Sequence, residues 1–527
     1  MTVIATRLND VRAVALRFPA LLSLLLGAVA ATGFAPLEWW PVTLLCFAAW
    51  MWLIFQATRL KTALWRGWLF GLAHFTLDNN WIQHAFTFQD AMPHWLGYLA
   101  VVLLAGYLAV YPALAAALAW RFRRGGTPDA GYVLIFAAAW IATEWLRGTM
   151  FTGYPWDPLG VIWVPTALAR IATLTGSYAL SGMTILLAGL LLPSIWRRRA
   201  FPIASLAAIA TLTLVGYSLA FTDAGRASND RQAHVRVVQP DLGEEERPTD
   251  NYADNNLAAI ERLLGQPGRS PRLIVWPEGA LRFMVEDGYP SQYYWRGSPD
   301  LIRQRIARRL GSNDIVLTGG NALKFDAAGN LASATNSIFA IDAKGALRGR
   351  YDKAHLVPYG EYLPMRPILS RIGLQRLVPG DTDFAPGPGP RAITLSPFGD
   401  IGMQICYEII FSGETVDEAH RPSVVFNPSN DSWYGAWGPP QHLAQARMRA
   451  IEEGLPVLRA TPTGISAIID ADGRVVDSIP LGKPGAIEAP MPAPHSPTPF
   501  ARLGNWAAGL IAVLLLLLAV ALRRARR

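Results

Sequence analysis

The sequence predicts two structural parts: a polytopic α-helical membrane domain with eight transmembrane helices, and an extracytoplasmic α/β domain inserted before the last helix. The membrane domain is predicted because long apolar stretches follow one another to about residue 222. In addition, only 16% of the residues are charged, against ~25% in an ordinary soluble protein. The α/β domain is predicted because short Val- and Ile-rich stretches alternate with helical patterns over residues 223–489.

Eight apolar stretches are each close to the ~20 residues that cross the hydrocarbon core of a membrane. Seven of them precede residue 222, and the eighth closes the chain. Their predicted bounds are Phe18–Phe34, Pro41–Ala57, Leu64–His84, Trp95–Trp120, Tyr132–Leu146, Gly176–Pro193, Pro202–Phe221 and Leu503–Leu522. The first stretch follows Arg7, Arg12 and Arg17 as in a signal peptide, but the spans that come after it favour its retention as an anchor.

Lysine and arginine residues predict the orientation of these spans. Basic clusters lie before span one, after spans two, four and six, and after span eight, where the chain ends in Arg523-Arg-Ala-Arg-Arg527. By the positive-inside rule, both termini lie in the cytoplasm and the α/β domain lies on the opposite side of the membrane. Arg147 and Arg170 oppose the trend as single residues. The net charge of +8 therefore fits membrane topology better than a nucleic-acid surface.

The α/β domain contains eight predicted strands and three predicted helices. The strands are His234–Gln239, Leu273–Trp276, Asp314–Gly319, Asn336–Ile341, Ile401–Cys406, Val424–Asn427, Val457–Ala460 and Ile465–Ile469. The helices are Asn255–Leu264, Pro299–Leu310 and Pro440–Glu453. The prolines of Pro490–Pro499 predict a linker. We therefore place the membrane domain at 1–222, the α/β domain at 223–489, and the linker, eighth helix and basic tail at 490–527.

Three stretches of the α/β domain carry side chains suited to catalysis. Glu278 follows the strand Leu273–Trp276, and the intervening proline ends the strand and leaves the carboxylate on its rim. Lys353 lies in a loop with Glu361, and Cys406 ends an apolar strand. Taken singly, each also fits a structural role as a strand-end carboxylate, a solvated lysine or an inert buried thiol. Two cysteines are too few for a cysteine-based metal site.

Together, these residues resemble a known catalytic set. In order and spacing they are similar to the Glu-Lys-Cys triad of the nitrilase, or carbon–nitrogen hydrolase, superfamily. Longer motifs resemble its membrane branch, the apolipoprotein N-acyltransferases: Trp276-Pro-Glu278, Lys353-x-His-Leu-Val-Pro-Tyr-Gly-Glu361, Ile405-Cys-Tyr-Glu408, and Asn430-Asp-Ser-Trp433 through Gln441-His-x-x-x-Ala-Arg-Met-Arg449. Glu144-Trp-Leu-Arg-Gly with Thr152-Gly-Tyr-Pro-Trp156 resembles that family's loop after the fifth span. The resemblance implies a nitrilase-like αββα sandwich for the α/β domain.

The resemblance also implies a role for each residue. Cys406 is the expected nucleophile, Glu278 the base that accepts its proton, and Lys353 the cation that stabilises the oxyanion of the tetrahedral intermediate. Supporting roles fall to Glu361, Tyr407 and Glu408. The backbone N–H of Tyr407 is expected to be a second oxyanion donor.

The implied reaction is a two-step acyl exchange. Cys406 takes a fatty acyl chain from a phospholipid, typically phosphatidylethanolamine, as a thioester. The α-amine of the N-terminal diacylglyceryl-cysteine of an apolipoprotein then accepts the chain, in the last step of bacterial lipoprotein maturation. The expected location is the bacterial inner membrane, with catalysis on the periplasmic side. The expected enzyme is a monomer that uses no cofactor or metal and binds no nucleic acid.

Two other hypotheses remain at this point. A membrane-anchored amidase or nitrilase would share the triad but pass the acyl group to water. A transporter would use the spans themselves, with polar or broken helices near the bilayer midplane. One departure bears on substrate contacts: family members often carry a tryptophan in the segment corresponding to Pro240–Asp250, which has no aromatic residue here. Tyr289–Trp295 and Leu363–Leu377 are candidate membrane-facing or lid segments.

Overall fold

A computed structural model of the chain describes residues 17–88, 93–192, 201–221, 233–243, 251–373, 375–377 and 383–525. The chain divides into two compact units. The first comprises Met1–Gln83, Trp95–Thr222 and Arg502–Arg527, and the second comprises His84–His94 and Asp223–Ala501. Arg7, Arg12, the cluster at 197–199 and the 222/223 junction lie outside the described residues.

The proline-rich segment after residue 490 differs from the predicted linker. It belongs to the second unit as far as Ala501, because its backbone is hydrogen-bonded there. The N–H of Met491 donates to the carbonyl of Ala233 at 3.0 Å, and the N–H of His495 donates to the carbonyl of Gly454 at 2.9 Å.

In the described residues of the first unit the regular secondary structure is helical, and helices occupy all eight predicted apolar stretches. They are α1 (Pro19–Ala30), α2 (Trp40–Phe55), α3 (Leu60–Asp78), α4 (Leu96–Leu108), α5 (Val110–Arg121), α6 (Ala130–Thr149), α7 (Ala172–Leu190), α8 (Phe201–Phe221) and the C-terminal Trp506–Arg524. The fourth stretch is therefore divided between α4 and α5, which meet at Ala109.

Length and apolar composition support only part of the predicted membrane domain. In the described part of the chain, three helical segments are long and apolar enough to cross a membrane: Leu96–Arg121, Ala167–Leu190 and Trp506–Arg524. Pro19–Gly33, Trp40–Phe55 and Ala207–Ser218 are apolar but shorter. The number of spans and the side of the membrane on which the second unit lies therefore stay predictions.

The second unit contains two six-stranded sheets. The first has the order β12-β1-β2-β3-β4-β5 and the second the order β11-β10-β9-β8-β7-β6. The strands are β1 (His234–Gln239), β2 (Arg272–Val275), β3 (Ile315–Phe325), β4 (Leu331–Asp342), β5 (Leu347–Asp352), β6 (Ala392–Leu395), β7 (Gly399–Met403), β8 (Val424–Pro428), β9 (Val457–Ala460), β10 (Ser466–Ile469), β11 (Val475–Ile479) and β12 (Gly485–Pro490). All eight predicted strands are present, β1 and β9 with the predicted bounds and the other six with shifted ends.

Each sheet has parallel strands at its centre: β1, β2 and β3 in one, and β7, β8 and β9 in the other. The outer neighbours pair antiparallel. Side chains of α9 (Tyr252–Leu263) and α10 (Pro299–Ala307) share one buried cluster with those of β2, β3 and β4. Helix α11 (Gly438–Glu453) packs against β9 of the second sheet. Such sheets bind ligands beyond the carboxyl ends of their parallel strands, where Glu278 and Cys406 are placed.

Candidate active site

The position of Glu278 is set by the end of β2 and by its neighbour strand. The N–H of Trp276 donates to the carbonyl of Leu317 at 2.9 Å, which continues the pairing with β3 for one residue. Trp276 is fully buried, so the chain is anchored directly before Pro277 and Glu278. A β-carbon at Gly319 would lie 2.7 Å from the Glu278 Cα, so only glycine allows this approach.

Lys353 lies directly after β5 and connects the predicted carboxylates. Its ammonium is 2.9 Å from Glu361 Oε2 and 3.6 Å from Glu278 Oε1. The side chain is 1% exposed, so these carboxylates, rather than water, compensate its charge. The structure therefore brings Glu278, Lys353 and Glu361 together, three residues that the resemblance assigned to one site.

Asn336 of β4 joins the two carboxylates, and the sequence did not single it out. Its amide nitrogen donates to Glu278 Oε1 at 2.7 Å and to Glu361 Oε1 at 2.9 Å. The backbone carbonyl of Asn336 accepts the backbone N–H of Lys353 at 2.8 Å. An amide is a double donor, so Asn336 holds two like charges at fixed positions. The sequence predicted only that Asn336 begins a strand, not that its amide contacts the two carboxylates.

The electrostatics of this group keep Lys353 charged and make Glu278 a stronger base. Burial alone would lower the pKa of Lys353, but the carboxylates of Glu361 and Glu278 outweigh it and hold the pKa above its usual value. Burial raises the pKa of Glu278 above that of an ordinary glutamate, against the opposing charge of Lys353. A carboxylate with a raised pKa is a better proton acceptor at neutral pH.

Cys406 begins the turn that follows β7. Its backbone has a φ of 51°, a left-handed conformation that residues other than glycine rarely adopt. The thiol is buried, its sulfur lies 3.2 Å from the Tyr434 hydroxyl, and the Glu278 carboxylate lies within interacting distance of it. Burial and the charge of Glu278 raise the pKa of Cys406 to about 12. The resting thiol is therefore protonated and needs a base, and Glu278 is placed to be that base.

Glu408 connects the Cys406 turn to the Lys353 loop. Its Oε1 accepts the backbone N–H groups of Ala354 at 2.7 Å and His355 at 3.0 Å, and the Tyr351 hydroxyl at 2.9 Å. Its Oε2 accepts the N–H of Ile405 at 2.7 Å. Burial raises the pKa of Glu408 to about 7 against these donors. The structure thus gives Glu408 a task that sequence could not assign: it fixes the loop after Lys353 to the chain before Cys406.

Tyr407 takes part in the site through its ring and its backbone. The ring lies 5.2 Å from the Phe411 ring and 5.8 Å from the imidazole of His355, which itself packs against Phe411 at 3.9 Å. His355 is therefore a packed side chain whose backbone serves Glu408. The N–H of Tyr407 as an oxyanion donor stays a prediction.

Glu144 and Arg147, which lie in the Glu144-Trp-Leu-Arg-Gly motif of span five, have mainly structural partners. Arg147 donates to the carbonyls of Tyr154 at 3.0 Å and Trp156 at 2.7 Å, whereas Glu144 is 3.9 Å away. Glu144 accepts the N–H of Leu159 at 2.8 Å. Both side chains therefore hold the loop after α6 against that helix. This loop carries the Thr152–Trp156 motif.

Two predictions on substrate contacts fall partly outside the described residues. Residues 244–250 of the segment without an aromatic, and residues 374 and 378–382 around the end of the candidate lid, are not described. Within Leu363–Leu377, the side chains of Met365 and Ile368 are exposed. Their role as a lid stays a prediction.

Comparison with known proteins places both parts of the chain. Residues 26–190 match the family model of the apolipoprotein N-acyltransferase N-terminal domain, and residues 235–493 match the carbon-nitrogen hydrolase model. Among solved structures, an amidase of the nitrilase superfamily from Nesterenkonia AN1 has a TM-score of 0.33 at 15% identity, covering 50% of this chain and 91% of that one.

Three relatives align over most of the chain, and all are named apolipoprotein N-acyltransferase. The protein from Rhodopseudomonas palustris is 33% identical over 96% of this chain and 95% of its own. That from Caulobacter vibrioides is 36% identical over 85% and 83%, and that from Ralstonia nicotianae is 35% identical over 97% and 94%. These matches confirm the resemblance found in the motifs, and the chain belongs to the apolipoprotein N-acyltransferase family.

Proposed function

We propose that this protein transfers a fatty acyl chain from a membrane phospholipid to the α-amine of a diacylglyceryl-modified N-terminal cysteine of an apolipoprotein. The observation that carries the proposal is one buried cluster of the Cys406 thiol, the Glu278 carboxylate and the Lys353 ammonium, which lies 3.6 Å from Glu278 Oε1. This arrangement supplies a nucleophile, a base and an oxyanion partner. Membership of the family favours transfer to an amine over the hydrolytic alternative.

In the first step, Glu278 accepts the thiol proton while the Cys406 sulfur attacks an ester carbonyl of the phospholipid. The charge that develops on the carbonyl oxygen is stabilised by Lys353 and by the N–H of Tyr407. Collapse of the intermediate breaks the ester bond, and the departing alkoxide takes the proton from Glu278. The products are a lysophospholipid and a thioester on Cys406.

In the second step, the amine of the acceptor attacks the thioester carbonyl. Glu278 accepts a proton from the amine nitrogen, the oxyanion forms at the same donors, and collapse expels the Cys406 sulfur. The proton on Glu278 returns to the sulfur, so one amide has formed and the enzyme is regenerated. Phosphatidylethanolamine is the proposed donor, and a monomer suffices for every step.

The decisive experiment incubates the purified protein with phosphatidylethanolamine labelled in its acyl chains and a diacylated lipopeptide. We expect labelled amide on the peptide, and a labelled acyl-enzyme when the peptide is omitted. Release of free fatty acid alone would contradict the proposal and support the hydrolase. Cys406→Ala should abolish the labelled acyl-enzyme, whereas Cys46→Ala, which removes the other buried cysteine, should retain it.

We further propose eight membrane spans in the bacterial inner membrane, with both termini in the cytoplasm and the α/β unit in the periplasm. Helices in all eight apolar stretches support this arrangement, as does the distribution of basic clusters. A C-terminal green fluorescent protein fusion should fluoresce, and protease added to spheroplasts should cleave the α/β unit. A fusion that does not fluoresce, together with an α/β unit that resists the protease, would indicate the opposite topology.

A further inference from the structure

The carbonyl oxygen of Cys406 is held by two buried side chains that the proposed mechanism does not use. His442 of α11 places its Nε2 at 3.1 Å from this oxygen, and Asn427 of β8 places its Nδ2 at 3.4 Å. Both side chains are fully buried. A carbonyl oxygen only accepts hydrogen bonds, so His442 must carry its proton on Nε2.

The second nitrogen of His442 faces a buried ion pair. Arg459 approaches Nδ1 with Nη2 at 3.0 Å, and Asp431 lies 3.1 Å from Nδ1 with its Oδ1. The same Nη2 of Arg459 is 2.6 Å from Asp431 Oδ2. Burial and the charge of Arg459 lower the pKa of His442 despite Asp431. The imidazole is therefore neutral, and Nδ1 accepts from Arg459 while Nε2 donates to Cys406.

The geometry of one peptide unit transmits this contact to the reaction. The bond between Cys406 and Tyr407 is trans, so the carbonyl of Cys406 and the N–H of Tyr407 point in opposite directions. Fixing the carbonyl therefore fixes the N–H. The φ of 51° at Cys406 makes such a restraint necessary, because a left-handed residue of this kind persists only where its surroundings hold it.

We propose that His442 is a positioning residue for the oxyanion site: by holding the Cys406 carbonyl, it aims the N–H of Tyr407 at the oxygen that becomes negative. The inference rests on the proposed function, because it assumes that Cys406 is acylated. Arg459 and Asp431 hold the imidazole in the orientation and tautomer that this task requires.

Two reactions of the same thiol test the proposal. Acylation by labelled phosphatidylethanolamine passes through an oxyanion, whereas alkylation by iodoacetamide displaces iodide at carbon and forms none. His442→Leu removes the donor and should slow acyl-enzyme formation by ~10- to 100-fold, which is less than the loss of a direct oxyanion donor. Its alkylation rate and the pH profile of alkylation should stay within about twofold of wild type, because the imidazole carries no charge.

The conservative variant His442→Gln should restore most of the acylation rate, since its amide nitrogen reaches the position of Nε2. His442→Asn carries the same amide one methylene shorter and should remain slow. If His442→Leu does not fold, the comparison of His442→Gln with His442→Asn tests the proposal in its place. His495→Gln is the matched control, because His495 contacts Asp472 elsewhere in the same unit, and it should be acylated at the wild-type rate.

Three outcomes would overturn the inference. One is acylation of His442→Leu at the wild-type rate, and another is an equal loss of acylation and alkylation, which would place His442 in support of the nucleophile itself. The third is a His442→Gln variant as slow as His442→Asn. A wild-type protein that is alkylated but never acylated would instead contradict the proposed function.

Discussion

The two units each bury a cation beside carboxylates, but the partners of the two cations differ. In the second unit, Lys353 is compensated by Glu361 and Glu278, and the latter also lies within interacting distance of a thiol. In the first unit, Arg147 donates hydrogen bonds to the backbone carbonyls of Tyr154 and Trp156. Buried charge is costly in both places. We propose that the two clusters differ in task because Glu278 lies next to a thiol whose proton it can accept, whereas the backbone carbonyls that Arg147 contacts carry no proton.

The largest effect should follow removal of the base. Glu278→Gln keeps the shape of the side chain but cannot accept the Cys406 proton, so acyl-enzyme formation should fall by ~10³-fold. The rate is measured from labelled phospholipid by gel fluorescence. Glu286→Gln is the control, since this carboxylate pairs with the partly exposed Arg350, and it should change the rate by less than about twofold. If Glu278→Gln formed acyl-enzyme at the wild-type rate, another residue would have to be the base.

Replacing Lys353 should affect both activity and stability. Lys353→Met removes the oxyanion partner, which should lower acyl-enzyme formation by ~10²-fold. It also leaves Glu361 buried without its cation, which should lower the free energy of unfolding by ~3–5 kcal/mol. The double variant Lys353→Met/Glu361→Gln should regain stability in thermal unfolding and remain inactive. Recovery of activity in the double variant would show that Lys353 acts only through folding.

Glu408 should have a smaller effect on activity and a distinctive dependence on pH. Burial raises the pKa of Glu408 to about 7, above the usual 4.5. Between these values the folded protein binds more protons than the unfolded chain, so this group contributes stability at low pH that is lost as the pH rises towards 7. Thermal unfolding from pH 5 to 7 should show this slope.

Glu408→Gln should remove that part of the slope. It should also slow acyl-enzyme formation by ~10-fold, because glutamine keeps only one acceptor oxygen and places an NH₂ group against the backbone N–H groups on the other side, a loss similar to that of other positioning contacts. An unchanged pH slope in Glu408→Gln would mean that the carboxyl titrates as an ordinary glutamate.

The smallest effect on activity is expected in the first unit. Arg147→Met leaves two loop carbonyls without this donor, which should cost ~1–3 kcal/mol of stability. The folded fraction should form acyl-enzyme within about threefold of the wild-type rate, since no reacting group is removed. A loss near that of Lys353→Met, at unchanged thermal stability, would contradict the distinction between the two clusters.

Sequence pointed to the proposed catalytic residues more readily than to the residues that hold them in place. Glu278 and Cys406 follow strands whose apolar patterns are clear, whereas Lys353 follows β5, a strand of mixed polarity that was not predicted. Only the resemblance to the nitrilase superfamily grouped the three residues. Asn336 lies inside a strand, and nothing in an alternating pattern reveals that its amide faces two carboxylates. His442 lay in a recognised motif, but its partner is a backbone carbonyl, which has no signature in the sequence.

The fold shows the same limit. Buried strands such as β1 and β9 were predicted with their observed bounds, because Val and Ile runs mark them. Four strands were missed: β5, β6, β11 and β12. Only one side chain of each of β5, β6 and β11 is buried, and none of β12, so no apolar run marks them. Helix positions in the first unit were predicted, but apolar composition alone could not fix how many of them span a membrane.

The proximity of Glu278 to the Cys406 thiol has a consequence for the net charge of the candidate active site. With Lys353 and Glu361 ionised, the resting group carries one net negative charge, on Glu278. When the proton moves to Glu278, that charge passes to the sulfur and then to the oxyanion, and the total does not change. A pocket whose net charge is constant needs no counter-ion to enter or leave during turnover. In the proposed reaction, this would let the chemistry proceed beneath an acyl chain that keeps bulk water and salt away.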